Sequence, residues 1–182
     1  MANPDLEGRD ALTQWIDKLF EELGEAIAIP AKTVGQGHEF DIEKLKKEQG
    51  DCLFYVAMID HEMRELYPEQ AQRFEDLIFK TPAVLAYEED KLPYFTKDML
   101  RGCGLNWAAL AGLLIENDPD PLYDISNAHD EVFFIFDRLE AIAAHIGTSL
   151  EAIAQLNKTK LTARFGDQFS AEKSIARVRE TA

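Results

Sequence analysis

The chain has 182 residues, 46% of them hydrophobic, which is enough to bury one sizeable core, so a single domain over 1–182 is expected. Acidic residues outnumber basic ones 34 to 19, and the formal charge of -15 opposes binding to any nucleic-acid polymer. No early apolar run has the flanks of a signal peptide and nothing approaches the ~20 consecutive apolar residues of a membrane span, so a soluble, cytoplasmic protein with no membrane partner is expected.

Apolar residues recur at helical spacing almost throughout, and no alternating β-branched run bounded by hairpin turns is long enough for a sheet. The fold class is therefore all-α. Leu12, Trp15, Ile16, Leu19, Leu23, Ala26 and Ile27 form one stripe, predicting a first helix from about Asp10 that Pro30 kinks or ends. "VGQGHEF", Val34 to Phe40, then reads as a turn. Asp41 is placed to cap a second helix, whose stripe from Ile42 through Leu45, Cys52, Leu53, Val56 and Ile59 to Met63 runs until Pro68. Cys52 and Cys103, the only cysteines, lie among apolar or small residues without metal-type spacing and read as buried thiols.

Between Glu69 and Asn127 the signals are shorter: an apolar helix around Phe74 to Phe79, a restart at Pro82, a helix from about Thr96 to Ile115, then "NDPDP". From Ser126 an amphipathic helix carries Val132, Phe133, Phe136, Leu139, Ile142 and Ile146 to Gly147, a natural stop. Thr148 with Glu151 matches a capping box for a closing helix that reaches about Phe165, and the charged tail after Phe169 is expected to be loosely held. The expected organisation is a helix pair over 10–66, a middle helical segment over 67–127, closing helices over 128–166 and a tail over 167–182.

At about 100° per residue, Glu22 and Glu25 project one turn apart on the first helix, and Glu48 and Asp51 do the same on the second. A short turn makes the two helices antiparallel, so the pairs can face each other and offer hard oxygen donors suited to Mg²⁺ or Mn²⁺. Carboxylates are ordinarily the solvated face of an amphipathic helix. Asp51, however, sits among Cys52, Leu53, Phe54, Tyr55 and Met58, where a lone charge loses several kcal/mol of solvation unless it meets a proton or a cation. The closing helix carries Asn157, Lys160 and Arg164 in the angular sector of its apolar Leu150, Ile153 and Leu161. Basic groups there either snorkel and pair with acids, or hold phosphate oxygens.

"EELGE" followed by "EQGD" resembles the Glu-Glu-x-x-Glu and Glu-x-x-Asp motifs of the MazG-like, all-α nucleoside triphosphate pyrophosphohydrolases. "GQGHEFDIEKLKKEQGDCLFYVA" is similar to that family's turn and second helix, including Tyr55, and "SLEAIAQLNKTKLTARFGDQFS" to its closing segment. Together these stretches cover roughly half of the chain, at both ends. The resemblance implies a MazG-like helical bundle and Mg²⁺-dependent hydrolysis of a (deoxy)nucleoside triphosphate to monophosphate and pyrophosphate, in nucleotide-pool control or housecleaning. It makes Glu22, Glu25, Glu48 and Asp51 the metal ligands and gathers Lys32, Asn157, Lys160 and Arg164 around the phosphates. Glu21 becomes an outer-shell group or an exposed one. Pro30 departs from the family pattern and bears on the placement of Lys32, and the stretch from about His61 to Asn127 is an insertion that compact members lack. Many members assemble as dimers or tetramers, so a homo-oligomer is expected.

In such an enzyme Lys160 and Arg164 stabilise charge on the departing pyrophosphate, Glu25 or Glu48 accepts the proton of the attacking water, and Trp15 and Tyr55 are the aromatic candidates for holding the base. The absence of Glu-x-x-His weighs against a carboxylate-bridged di-iron or di-manganese bundle: the residues three before His38, His61, His129 and His145 are Gly35, Met58, Ser126 and Ile142. Those histidines are expected on the surface or in turns, with His38 near the mouth of the site. The rival reading is a non-catalytic helical module that binds a nucleotide or a protein.

Overall fold

A computed structural model describes residues 6–69, 89–115 and 124–165. Among these residues there are five α-helices: α1 (Gly8–Gln36), α2 (Ile42–Leu66), α3 (Leu92–Leu114), α4 (Asp124–His145) and α5 (Leu150–Phe165), with a 3-10 turn at Glu89–Lys91 leading into α3. No strand occurs among the described residues, and none of their helices is long and apolar enough to cross a membrane. The expected helix around Phe74 to Phe79, the restart at Pro82 and the tail lie outside the described residues.

α1 and α2 form an antiparallel hairpin, because Gly8 at the start of α1 lies beside Leu66 at the end of α2, while Trp15 meets Tyr55 further along. α3 and α4 form a second hairpin: Cys103 Sγ reaches the Ile135 carbonyl at 3.9 Å, and Asn106 Nδ2 donates to Glu131 at 2.5 Å. α3 lies against α1, with Trp107 Nε1 donating to the Ile16 carbonyl at 2.7 Å and Arg9 donating to the Leu114 carbonyl at 3.3 Å. α4 lies against α2, where fully buried Gln49 donates to the Leu139 carbonyl at 3.1 Å. α5 packs on α2. Buried residues from all five helices, including Ile16, Leu45, Leu100, Leu139 and Ile153, form one apolar cluster. The middle segment thus supplies a wall of the same core through α3.

Several local expectations are corrected. Pro30 does not end the first helix, which continues to Gln36. Proline costs a helix interior about 3 kcal/mol through its missing N–H and its ring clash. Here Ala26, Ile29 and Pro30 are all buried, and that packing outweighs the local penalty. Gly37, in the left-handed region at φ 72°, closes α1: its N–H bonds the Thr33 carbonyl at 3.1 Å, and that of His38 bonds the Lys32 carbonyl at 3.4 Å. Asp41 caps α2 as expected, accepting from the Lys44 N–H at 2.9 Å.

The cap of α5 is Ser149, whose Oγ accepts from the Ala152 N–H at 3.2 Å, and Thr148 is spent one step earlier. Its N–H bonds the Ala143 carbonyl at 2.9 Å, in the left-handed Gly147 turn that ends α4. The histidine expectation also fails in part. His129 is 4% exposed, and burial holds its pKa below the usual imidazole value; His145 stacks on Phe95 at 4.1 Å between ring centres. Both cysteines are buried free thiols, with burial pushing Cys103 up to about 12 and Cys52 also well above its ordinary value.

Candidate metal centre

The antiparallel hairpin brings the second half of α1 alongside the first half of α2, and there three carboxylates converge. Glu22, Glu25 and Glu48 each offer an oxygen within 4.8 Å of the other two. Oxygens that share one Mg²⁺ at about 2.1 Å lie about 3.0 Å apart when adjacent and about 4.2 Å when opposite, so side-chain rotation that draws the trio together would bring it onto a hard divalent ion. An all-carboxylate donor set favours Mg²⁺, Mn²⁺ or Ca²⁺ over softer metals. The residues present fit such an ion.

Glu22 and Glu48 are partly buried and Glu25 is exposed. Burial, reinforced by the charges of Asp51, Glu25 and Glu48, raises Glu22 from 4.5 to about 7, against the opposing pull of Lys160. Glu48 is raised as well, first by burial and then by Glu25 and Asp51, with Lys44 and Lys160 opposing. Glu22 therefore holds a proton more readily than an ordinary carboxyl, and a divalent cation bound there would displace it.

Asp51, the fourth expected ligand, stands next to the trio but is engaged differently. Lys160 Nζ lies 2.6 Å from one of its oxygens and also contacts the other, with both side chains partly buried. One turn before Lys160, Asn157 is buried and donates through Nδ2 to the Gly50 carbonyl at 2.5 Å, while its Oδ1 has no partner among the described residues. A Cβ at Gly50 would lie 3.0 Å from Asn157 Cβ, so α5 approaches α2 closely because that position is glycine. Arg164 lies on α5, but its side chain is outside the described residues.

Lys32 follows Glu25 by two turns of the unbroken α1 helix, about 10 Å along its axis and on nearly the same face. It is exposed and lines a cleft of about 620 Å³ at the α1–α2 turn, together with Glu25, His38, Phe40 and Lys44. Trp15 and Tyr55 are each 8% exposed, with ring centres 6.1 Å apart, so they present buried packing rather than an open face for a base. Burial and the neighbouring Glu22 and Asp51 carboxylates push the Tyr55 phenol above its usual value. The Trp15 indole N–H has no partner among the described residues, leaving a buried donor beside that ring pair. Glu21 is exposed and pairs with Lys18 at 2.5 Å.

Sequence reasoning did not single out Gln49 and Gly50, which lock α2 to α4 and α5. A glutamine and a glycine between two ligand candidates, in line with the apolar stripe of Leu45, Cys52 and Val56, were the available signal.

Comparison with family models, with curated proteins and with solved structures gives no match to this chain.

Proposed function

We propose that the protein is a Mg²⁺-dependent nucleoside triphosphate pyrophosphohydrolase of the MazG-like type, cleaving a (deoxy)nucleoside triphosphate between the α and β phosphates. The observation that carries this reading is the convergence of Glu22, Glu25 and Glu48 from two helices, with the cationic Lys160 brought to Asp51 beside them from a third. A divalent cation held there supplies charge neutralisation for the triphosphate and acidifies the water that attacks it. Glu22 and Glu48 are both raised in proton affinity, first by burial and then by neighbouring carboxylates, and Glu25 or Glu48 accepts the proton of the attacking water. Glu25, the exposed member, stands at the open edge where water arrives. Lys160 and Arg164 on α5 and Lys32 on α1 bind and orient the phosphates, with Lys160 and Arg164 stabilising charge on the departing pyrophosphate. The cleft beside Lys32 adjoins Glu25 and leaves room for the rest of the substrate.

The protein is proposed to act in nucleotide-pool control or housecleaning, as a cytoplasmic dimer or tetramer. Exposed Phe54 on α2 and Leu156 on α5 are available to such an assembly. A second reading, a non-catalytic nucleotide- or protein-binding module, is favoured by one feature: Asp51 is already neutralised by Lys160.

Incubation with a panel of deoxy- and ribonucleoside triphosphates, with and without Mg²⁺, separates the readings. Monophosphate and pyrophosphate appearing only with metal supports the hydrolase. No turnover, or release of orthophosphate, removes it. The pair Asp51→Asn and Glu48→Gln should each abolish turnover while leaving the helical content unchanged.

A further inference from the structure

We infer that Lys160 is an exchangeable counter-ion: it neutralises Asp51 while the carboxylates hold no divalent cation, and moves to the substrate phosphates once Asp51 turns toward the metal. The inference rests on the metal-site reading above and adds to it a role for the ion pair that the substrate-binding assignment of Lys160 does not contain.

Three features of the site lead to it. First, the Lys160 ammonium contacts both oxygens of Asp51, and the side chains are only 23% and 19% exposed, so the pair is shielded from bulk water on most sides. Second, the root of Lys160 is fixed while its tip is free to move. Asn157, three residues earlier on the same helix face, is bonded to the Gly50 carbonyl and nearly touches the Gly50 backbone, which sets the register of α5 on α2. Beyond that lock, lysine has a flexible four-carbon stem that carries its charge through several ångströms without moving the helix. Third, Asp51 stands one turn after Glu48 on α2, so the ammonium that pairs with it is held beside the carboxylate trio. A cation entering the cluster therefore meets a positive charge already in place as a competitor.

Competition and phosphate binding give Lys160 two effects of opposite sign. Removing its charge should tighten divalent binding, since an opposing charge is gone, and weaken polyphosphate binding, since a phosphate contact is gone. A residue that merely held α5 in place would weaken both when altered.

The variant is Lys160→Met in the full chain, which keeps the aliphatic stem. Mn²⁺ binding is measured without substrate from the electron paramagnetic resonance signal of the free aquo ion, and inorganic tripolyphosphate binding by calorimetry at saturating Mn²⁺. The expected result is an Mn²⁺ Kd lower by on the order of tenfold and a tripolyphosphate Kd higher by about tenfold or more. An Mn²⁺ affinity that is unchanged or reduced in Lys160→Met, with wild type binding normally, overturns the inference and leaves the metal site standing. A wild type that binds no Mn²⁺ removes both. Should the variant not fold, the unaltered chain supplies the test: the Lys160 ammonium proton signal, protected by Asp51, should be lost on adding Mg²⁺, and its persistence at saturation contradicts the exchange.

Discussion

Neutralising Glu22 should stabilise the metal-free protein, increasingly as the pH rises above about 4.5 and in full above about 7. Its carboxyl is raised from 4.5 to about 7 by burial and by Asp51, Glu25 and Glu48. A carboxyl with raised proton affinity in the folded state is protonated in both states below about pH 4.5, so it then carries no penalty. As the pH rises from about 4.5 through 7 the unfolded chain ionises freely while the folded one resists, and the cost is complete above about 7. At about 1.36 kcal/mol for each tenfold change in proton affinity, the ceiling is about 3 kcal/mol. Because Glu22 is only partly buried, solvent screening brings this to about 1–2 kcal/mol. Glutamine copies the protonated form. Urea unfolding followed by the fluorescence of Trp15 and Trp107, with chelator present, should show Glu22→Gln more stable than wild type by that amount at about pH 8 and equal to it near pH 4.5. Excess Mg²⁺ should stabilise wild type more than the variant and close the gap. A Glu22→Gln that is less stable than wild type at about pH 8, or equally stabilised at both pH values, refutes the reasoning.

Other substitutions test the packing that positions the site. Gly50→Ala places a Cβ 3.0 Å from Asn157 Cβ, and chemical denaturation should report a loss of about 1–2 kcal/mol, overpacking outweighing the better helix propensity of alanine. Gly24→Ala, also within a helix but with nothing within 4 Å of the added atom, should instead gain about 0.5–1 kcal/mol. In thermal melts Ser149→Ala should cost about 1 kcal/mol and Thr148→Ala a few tenths, because the hydroxyl that caps α5 belongs to Ser149. Equal losses at the two positions would contradict that assignment.

Helical periodicity made most of the fold legible in advance. The stripe from Leu12 to Ala26 is the buried face of α1, and the Asp41 cap and Gly147 stop stand where local chemistry puts them. Features that depend on which helices meet were not readable. Pro30 obeys its packing against the core rather than its own propensity, and His129 is drawn inside by the contact of α4 with α2. The spacing of Glu22, Glu25, Glu48 and Asp51 allowed the two pairs to face each other, and oxygens of the first three lie within 4.8 Å of one another. That Lys160 would claim the fourth depended on the Gly50–Asn157 approach, a contact between residues 107 apart in the chain. The α3 wall is legible as a helix from its own apolar spacing, yet its position against α1 follows only from the assembled bundle.

On the proposed reading, α1 and α2 together hold a divalent cation. Crystals of the protein soaked in Mn²⁺ and measured at a wavelength where manganese scatters anomalously test it directly. A peak within bonding distance of Glu22, Glu25 and Glu48 is the predicted result. A map with no peak there, with the three carboxylates turned apart into solvent, would contradict it.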